Sequence, residues 1–251
     1  MAVQTLKKLS EEPFASIICY PKVIKTELKK RLDELRKLKI TGIEFSGQKQ
    51  ILNLRVLGKG CVGIVVIALR GKRRVALKIR RTDADRKNMT REAKLLKKAN
   101  EVGVAPKLVG ACKDFLVMQL ISGDLLPEWV EKKVNKEETC RVLKDILEQC
   151  WRLDMIGLDH GELSHAPKHI IVNKKQKPII VDFETASVER RPSNVTSACQ
   201  FLFMNKSTAN ISLKLSPEDR KSIIDALRRY KKNRSRTNFM NVLESCGLYA
   251  T

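Results

Sequence analysis

Leu54-Arg55-Val56-Leu57-Gly58-Lys59-Gly60-Cys61-Val62-Gly63-Ile64-Val65-Val66-Ile67-Ala68-Leu69 leads through the basic turn Arg70-Gly71-Lys72-Arg73-Arg74 into Val75-Ala76-Leu77-Lys78-Ile79. The glycines at 58, 60 and 63 have Gly-x-Gly-x-x-Gly spacing, which several phosphate-binding folds use. The flanks separate these folds. A dinucleotide-binding turn opens a helix after its third glycine, whereas Gly63 enters a β-branched run that prefers a strand. A P-loop needs Gly-Lys-Ser/Thr after its glycines, and none follows. What remains is strand, glycine turn and strand. Either the tip lies over phosphates with its N–H groups facing them, or it is an ordinary hairpin. Lys78, in register on the next strand as Val75-Ala76-Leu77-Lys78, favours the first reading.

Working outward, residues before Gln50 carry no catalytic motif. Pro21 opens a helical pattern with Ile24, Leu28, Leu32 and Leu35 on one stripe, and Thr41 to Phe45 reads as a short strand. Beyond Lys78 a helix is expected from about Asp85 to Asn100. Met89, Glu92, Leu96 and Ala99 fall on one face of it. An inward carboxylate needs a cation, and Lys78 is the candidate; the alternative is a glutamate at the stripe's edge reaching water. Val104 to Leu108 and Phe115 to Met118 read as strands. Asn135-Lys136-Glu137-Glu138 is a capping box that opens a helix burying Val142, Leu143, Ile146, Leu147, Cys150 and Leu153, with Gly157 as its stop.

A second block follows. Leu158-Asp159-His160-Gly161-Glu162-Leu163 precedes a strand at Ile170-Ile171-Val172. A polar turn then leads to Ile179-Ile180-Val181-Asp182-Phe183-Glu184. A carboxylate at the exit of a buried strand can hold Mg²⁺ against phosphates. Near the C-terminus, Ser216-Pro217-Glu218-Asp219 reads as a helix start with Ser216 as cap. Its helix buries Ile223, Ile224 and Leu227 and ends in Arg228, Arg229, Lys231 and Lys232. A last helix is expected from about Asn238 to Ser245, closing at Gly247.

Together these motifs resemble the protein-kinase-like superfamily over roughly Leu54 to Ser187. The likeness is nearest to small predicted Ser/Thr kinases of archaea, close to the RIO and lipopolysaccharide-kinase branches. Their His-Gly-Glu/Gln-Leu and Asp-Phe-Glu segments look like His160-Gly161-Glu162-Leu163 and Asp182-Phe183-Glu184. The resemblance implies an α+β, bilobal fold with an N-lobe of antiparallel strands and one helix, and a reduced, mainly helical C-lobe. The implied organisation is a basic helical extension over 1–50, an N-lobe over 51–121 and a C-lobe over 122–251. ATP would lie between the lobes with Mg²⁺ as cofactor. Gly58, Lys59, Gly60, Cys61, Val62, Gly63, Val65, Ala76, Lys78, Glu92, Met118, Gln119 and Ile121 would surround the nucleotide. A plain strand and loop at 118–121 is the alternative there. Lys78, Glu162 and Asp182 would act in catalysis. Asp182 would be the metal ligand, and His169 falls where the family has a second, asparagine ligand.

The sequence departs from the common kinase pattern at defined places. Glu162 stands where the catalytic aspartate is usual, one methylene longer. His169 replaces an oxygen ligand with an imidazole, a poor partner for a hard cation. Glu184 replaces a glycine. About 65 residues follow it, with no Ala-Pro-Glu segment. ATP binding therefore follows more directly than phosphate transfer, and an ATPase, a nucleotide switch or a non-catalytic module stays open beside a Ser/Thr kinase.

Charge points to partners. Lys+Arg 50 against Asp+Glu 28 gives +22. Nucleic acid, an anionic particle such as a ribosomal one, or an acidic protein is expected against basic stripes that include Lys25, Lys29, Arg36, Arg73, Arg74, Arg228 and Arg229. A merely solvated basic surface is the bland alternative. Cys19, Cys61, Cys112, Cys140, Cys150, Cys199 and Cys246 form no Cys-x-x-Cys pair, which argues against zinc and for a reducing compartment. Met1 to Pro13 lacks an apolar signal core and no apolar run approaches a membrane span, so a soluble, cytoplasmic protein without membrane contact is expected.

Overall fold

The structure is a computed structural model, and it describes residues 3–132, 135–204 and 219–248. The chain forms two compact units, Met1–Lys97 with Pro106–Leu120, and Lys98–Ala105 with Ile121–Thr251.

The first unit is built on an antiparallel sheet. In chain order its elements are β1 (Val3–Thr5), α1 (Phe14–Ile18), α2 (Lys25–Lys37), β2 (Ile40–Glu44), β3 (Lys49–Ile51), β4 (Leu54–Val56), β5 (Gly58–Lys59), β6 (Gly63–Arg70) and β7 (Arg73–Arg80). After α3 (Thr90–Glu101) come β8 (Leu108–Ala111) and β9 (Phe115–Gln119). The sheet order is β1-β2-β6-β7-β9-β8, and β5 joins β6. The β6–β7 register pairs Val65 with Lys78 and Ile67 with Ala76, and the β7–β9 register pairs Lys78 with Leu116 and Ala76 with Met118. Because side chains alternate along a strand, Val65, Ala76, Lys78 and Met118 share one face. The opposite face carries Ile64, Val66, Ala68, Val75, Leu77, Ile79, Phe115 and Val117. These residues form one buried cluster with Ile17 and Ile18 of α1 and Leu28, Leu32 and Leu35 of α2. Helices α1 and α2 thus cover the back of this sheet, while β1 and β2 extend its edge.

A buried ionic network ties α2 to the sheet. Arg31, fully buried, donates to the Ile18 and Arg80 carbonyls, both at 2.7 Å, and to Asp114 Oδ1 at 3.0 Å. Arg80 Nε donates to the same carboxylate oxygen at 2.6 Å. Arg31 Nε donates to Glu27 Oε1 at 3.0 Å, so each guanidinium nitrogen meets an acceptor, the condition under which a buried guanidinium is tolerated.

Several expectations need correction. The hairpin's first strand is split. Leu54–Val56 pairs with Lys49–Ile51 in a separate ribbon, and only Gly58–Lys59 pairs with β6. The first helix starts at Lys25, not Pro21, because Ile24, its N-cap, is extended at φ −121° and ψ 120°. α3 starts at Thr90, not Asp85, where Asn88 Oδ1 accepts from Thr90 N at 3.0 Å. The expected strand Val104–Leu108 is a loop. Gly103 at φ 69° follows the end of α3, and Ala105 at φ 72° cannot continue a strand, so pairing with β9 begins only at Leu108.

The second unit contains a small sheet and a helical layer. Its elements are β10 (Gly123–Leu125), α4 (Leu126–Glu131), α5 (Lys136–Met155), β11 (Ile170–Asn173), β12 (Pro178–Ile180), α6 (Asn194–Cys199), α7 (Arg220–Lys232) and α8 (Arg236–Ser245). β11 is the middle strand between β10 and β12. The capping box works as the spacing demands, with Asn135 Oδ1 accepting from Glu138 N at 2.7 Å, and Gly157 ends the helix at φ 69°. The apolar stripe of α5 buries Val142, Leu143, Ile146, Leu147, Cys150 and Leu153. Ser216 lies outside the described residues. α7 is capped by Asp219, whose carboxylate accepts from Lys221 N and Ser222 N. All seven cysteines are free. No helix among the described residues is long and apolar enough to cross a membrane.

Candidate active site

Each unit carries half of the motif set. In the first, Gly60 N donates to Gly63 O at 2.8 Å, closing the glycine turn, and Leu57 N donates to Val65 O at 2.9 Å. Gly63 passes directly over the stem of Lys78. A Cβ there would lie 2.9 Å from the Ile79 carbonyl and 3.1 Å from Lys78 Cγ, so only glycine fits. Lys78 reaches across to α3, and its Nζ donates to Glu92 Oε1 at 2.9 Å with both side chains about 95% buried. Met89, Leu96 and Ala99 are buried on the same helical face. Of the other nucleotide candidates here, Val62, Gly63 and Ala76 are buried. Gly58, Val65 and Met118 are half-buried, while Lys59, Gly60, Cys61 and Gln119 are exposed.

In the second unit the loop 158–169 is held from several sides. Asp159 and Ser187 exchange backbone hydrogen bonds at 2.9 and 2.8 Å. The Asp159 carboxylate accepts from Arg190 Nε and Ser193 N, both at 3.0 Å. Gly161, at φ 93°, lies against Arg190 and Thr185, where a Cβ would come within 2.5 Å of the guanidinium. Between these anchors stands Glu162, whose Oε2 is 2.9 Å from His169 Nε2. A neutral or charged imidazole donates at that contact, so His169 directs its N–H at the carboxylate. Its Nδ1 is buried with no hydrogen-bond partner. Ile121 lies half-buried just before β10.

His160 and Asp182 lie beside this pair. His160 is fully buried, packs edge-on against Phe183 at 4.9 Å and sits 5.6 Å from the His169 ring. Its Nε2 meets the Val181 carbonyl at 3.1 Å, and a carbonyl only accepts, so Nε2 carries the proton. Burial pushes the imidazole down to about 4, only partly offset by the Val181 carbonyl, and His160 is neutral at pH 7. Val181 N donates back to His169 O at 2.9 Å. Asp182 follows at φ 69°, a left-handed turn that ends the strand and buries Phe183.

No local motif marks the residues that brace this loop. Asn194 Oδ1 accepts from His160 N at 2.8 Å, and Asn194 Nδ2 donates to Leu158 O and Asp154 Oδ1, both at 2.7 Å. Tyr230 OH donates to Asp154 Oδ2 at 2.8 Å. Burial raises the Asp154 carboxyl, and these hydrogen bonds pull it back. Asp154, Asn194 and Tyr230 come from α5, α6 and α7, and no local spacing links them.

The donor chemistry fits Mg²⁺ in part. Among the described residues no three His, Cys, Asp or Glu side chains gather as a metal cage. Mg²⁺ bound beside phosphates needs only one or two carboxylates, and Asp182 and Glu162 are the carboxylates of this unit's two motif segments. His169 Nε2 faces Glu162.

A five-stranded or larger antiparallel sheet with a glycine turn, a buried lysine–glutamate pair and a loop-strand-Asp unit defines a protein-kinase-like protein. The family model described as "RIO1: RIO domain" matches residues 69–204. The chain belongs to the RIO family, a kinase-like family of ATP-binding phosphotransferases. It is also 30% identical over 118 residues to "Uncharacterized protein MJ1211" of Methanocaldococcus jannaschii, spanning 46% of this chain and 99% of that protein. The glycine turn lies just before the residues that the family model matches.

Proposed function

We propose that this chain is an ATP-dependent Ser/Thr protein kinase of the minimal RIO type, using Mg²⁺. The buried Lys78–Glu92 pair carries the reading. Two charges withdrawn from water are costly, and the pairing makes sense where the lysine is fixed for a phosphate. Lys78 holds the α- and β-phosphates, and the glycine turn 58–63 covers them with backbone N–H groups. Asp182 holds Mg²⁺. Glu162 positions the acceptor hydroxyl and takes its proton late, because phosphate transfer depends chiefly on positioning and charge stabilisation. His169 orients Glu162 and stabilises its charge. A cytoplasmic setting accords with seven free cysteines.

One observation favours a second reading. Glu162 is engaged by His169, and Lys25, Lys29, Arg36, Arg73, Arg74, Arg228 and Arg229 are all exposed on a chain of charge +22. An ATPase, nucleotide switch or non-catalytic module on RNA or a ribosomal particle would use both features. Incubation with γ-labelled ATP separates these readings. Label on serine or threonine of a protein supports the kinase, label only in free phosphate supports the ATPase, and bound but intact ATP supports the non-catalytic module.

A further inference from the structure

Tyr20 lies far from every motif, at the end of the segment that follows α1, yet it meets the glycine turn. Lys59 Nζ donates to Tyr20 OH at 2.8 Å and lies 4.7 Å from the ring centroid. Arg81 covers the same ring at 5.3 Å. Arg81 in turn binds the turn's backbone. Its Nη1 donates to Gly60 O at 3.2 Å, and its N donates to Val62 O at 2.9 Å. Asp83 fixes the guanidinium from outside through contacts of 2.9 and 2.6 Å. Tyr20 is itself anchored, because its carbonyl accepts from Thr82 N at 2.8 Å and Thr82 Oγ1 at 3.1 Å.

A glycine-rich turn on its own pays a large entropy cost to hold one shape. Here a single aromatic ring gathers Lys59 of the turn and Arg81, which follows β7. The ring is neutral and holds Lys59 through its hydroxyl and its face. Lys59 is therefore held at the turn by the ring and its hydroxyl, with the Asp83 carboxylate near enough to feel its charge.

We infer that Tyr20 is a positioning residue for the nucleotide: through Lys59 and Arg81 it holds the glycine turn 58–63 in its phosphate-covering shape. The inference rests on the nucleotide-binding reading for its consequence, and on the geometry above for its mechanism. Removing the ring loosens the turn and weakens ATP binding, with no direct effect on the transfer step.

The test uses the full chain with Tyr20→Leu, Tyr20→Phe and Lys59→Met. Amide exchange of the nucleotide-free protein is read first. Tyr20→Leu should speed exchange over 58–63 several-fold and leave β7 and β9 unchanged. Unchanged exchange at 58–63, or faster exchange across the whole sheet with a matching loss of melting temperature, overturns the inference. Affinity for a fluorescent ATP analogue is read second. Tyr20→Leu should raise Kd roughly tenfold, and Tyr20→Phe, which keeps the ring, roughly threefold, on the scale of one exposed cation–π contact and one hydrogen bond. KM for ATP should rise while kcat stays within about twofold. In a Lys59→Met background the effect of Tyr20→Leu should shrink, and an undiminished factor there overturns the coupling. A wild-type chain that binds no ATP refutes the nucleotide reading, and amide exchange then still decides the positioning claim.

Discussion

His160→Gln should remove most of the acid sensitivity that this loop gives the fold. The wild-type imidazole is fully buried among Phe183, His169 and the Val181 carbonyl, and burial pushes it from 6.5 to about 4. Between those values the unfolded chain binds a proton that the folded chain refuses. The stability from neutral His160 is therefore complete above 6.5 and is lost as the pH falls towards 4. The full gap corresponds to about 3 kcal/mol at 1.36 kcal/mol per unit, and about 2 kcal/mol of it should be gone by pH 5. Glutamine keeps an N–H that can reach the Val181 carbonyl and does not titrate. Urea unfolding at pH 7.5 and pH 5 should show a loss smaller in the variant by about 2 kcal/mol. An imidazole resonance of His160 titrating near 4 would be the direct counterpart. An equal loss in both proteins, or a His160 resonance titrating near 6.5, refutes the reasoning.

Lys78→Met should lower ATP affinity at least tenfold and strand the Glu92 carboxylate, costing roughly 3 kcal/mol. Adding Glu92→Leu should recover stability in thermal melts without recovering ATP binding; recovery of binding would contradict the role given to Lys78. Asp182→Asn should abolish the Mg²⁺ enhancement of ATP affinity in calorimetry, and an unchanged enhancement would place the metal elsewhere. Polyanion binding through the exposed lysines and arginines should fall steeply from low to moderate salt, because phosphate contacts release counterions. A flat salt dependence, or no binding at low salt, would count against that surface.

Local chemistry was the readable part of this chain. Glycine spacing, the register of Lys78 and the helical stripe placing Glu92 inward each depend on neighbours a few residues away, and the structure joins Lys78 to Glu92 at 2.9 Å. The capping box at Asn135 and the stop at Gly157 are local in the same sense. The misread pieces depend on distant partners. Val104–Leu108 has strand-like composition, but the backbone of Ala105 turns left-handed after Gly103, and β8 is set by its register with β9. In the basic helix at 25–37 the stripe of Leu28, Leu32 and Leu35 was legible from spacing, and Arg31 was not. Its inward stripe packs behind the sheet, and Arg31, an apparent surface cation, is fully buried on Asp114. Asn194, Asp154 and Tyr230 brace the loop at Glu162 through contacts spanning 34 to 76 positions. No periodicity carries information over that separation.

On the proposed mechanism Glu162, held by His169, serves the transfer of the γ-phosphate and not the binding of ATP. A single-turnover measurement with γ-labelled ATP and Mg²⁺, comparing wild type with Glu162→Gln, tests it most directly. ATP affinity should be nearly equal in the two proteins and the transfer rate lower in the variant by roughly a hundredfold or more, the loss typical of a positioned acid–base group. Equal rates in the two proteins, or no transfer by the wild type with ATP bound, would contradict it.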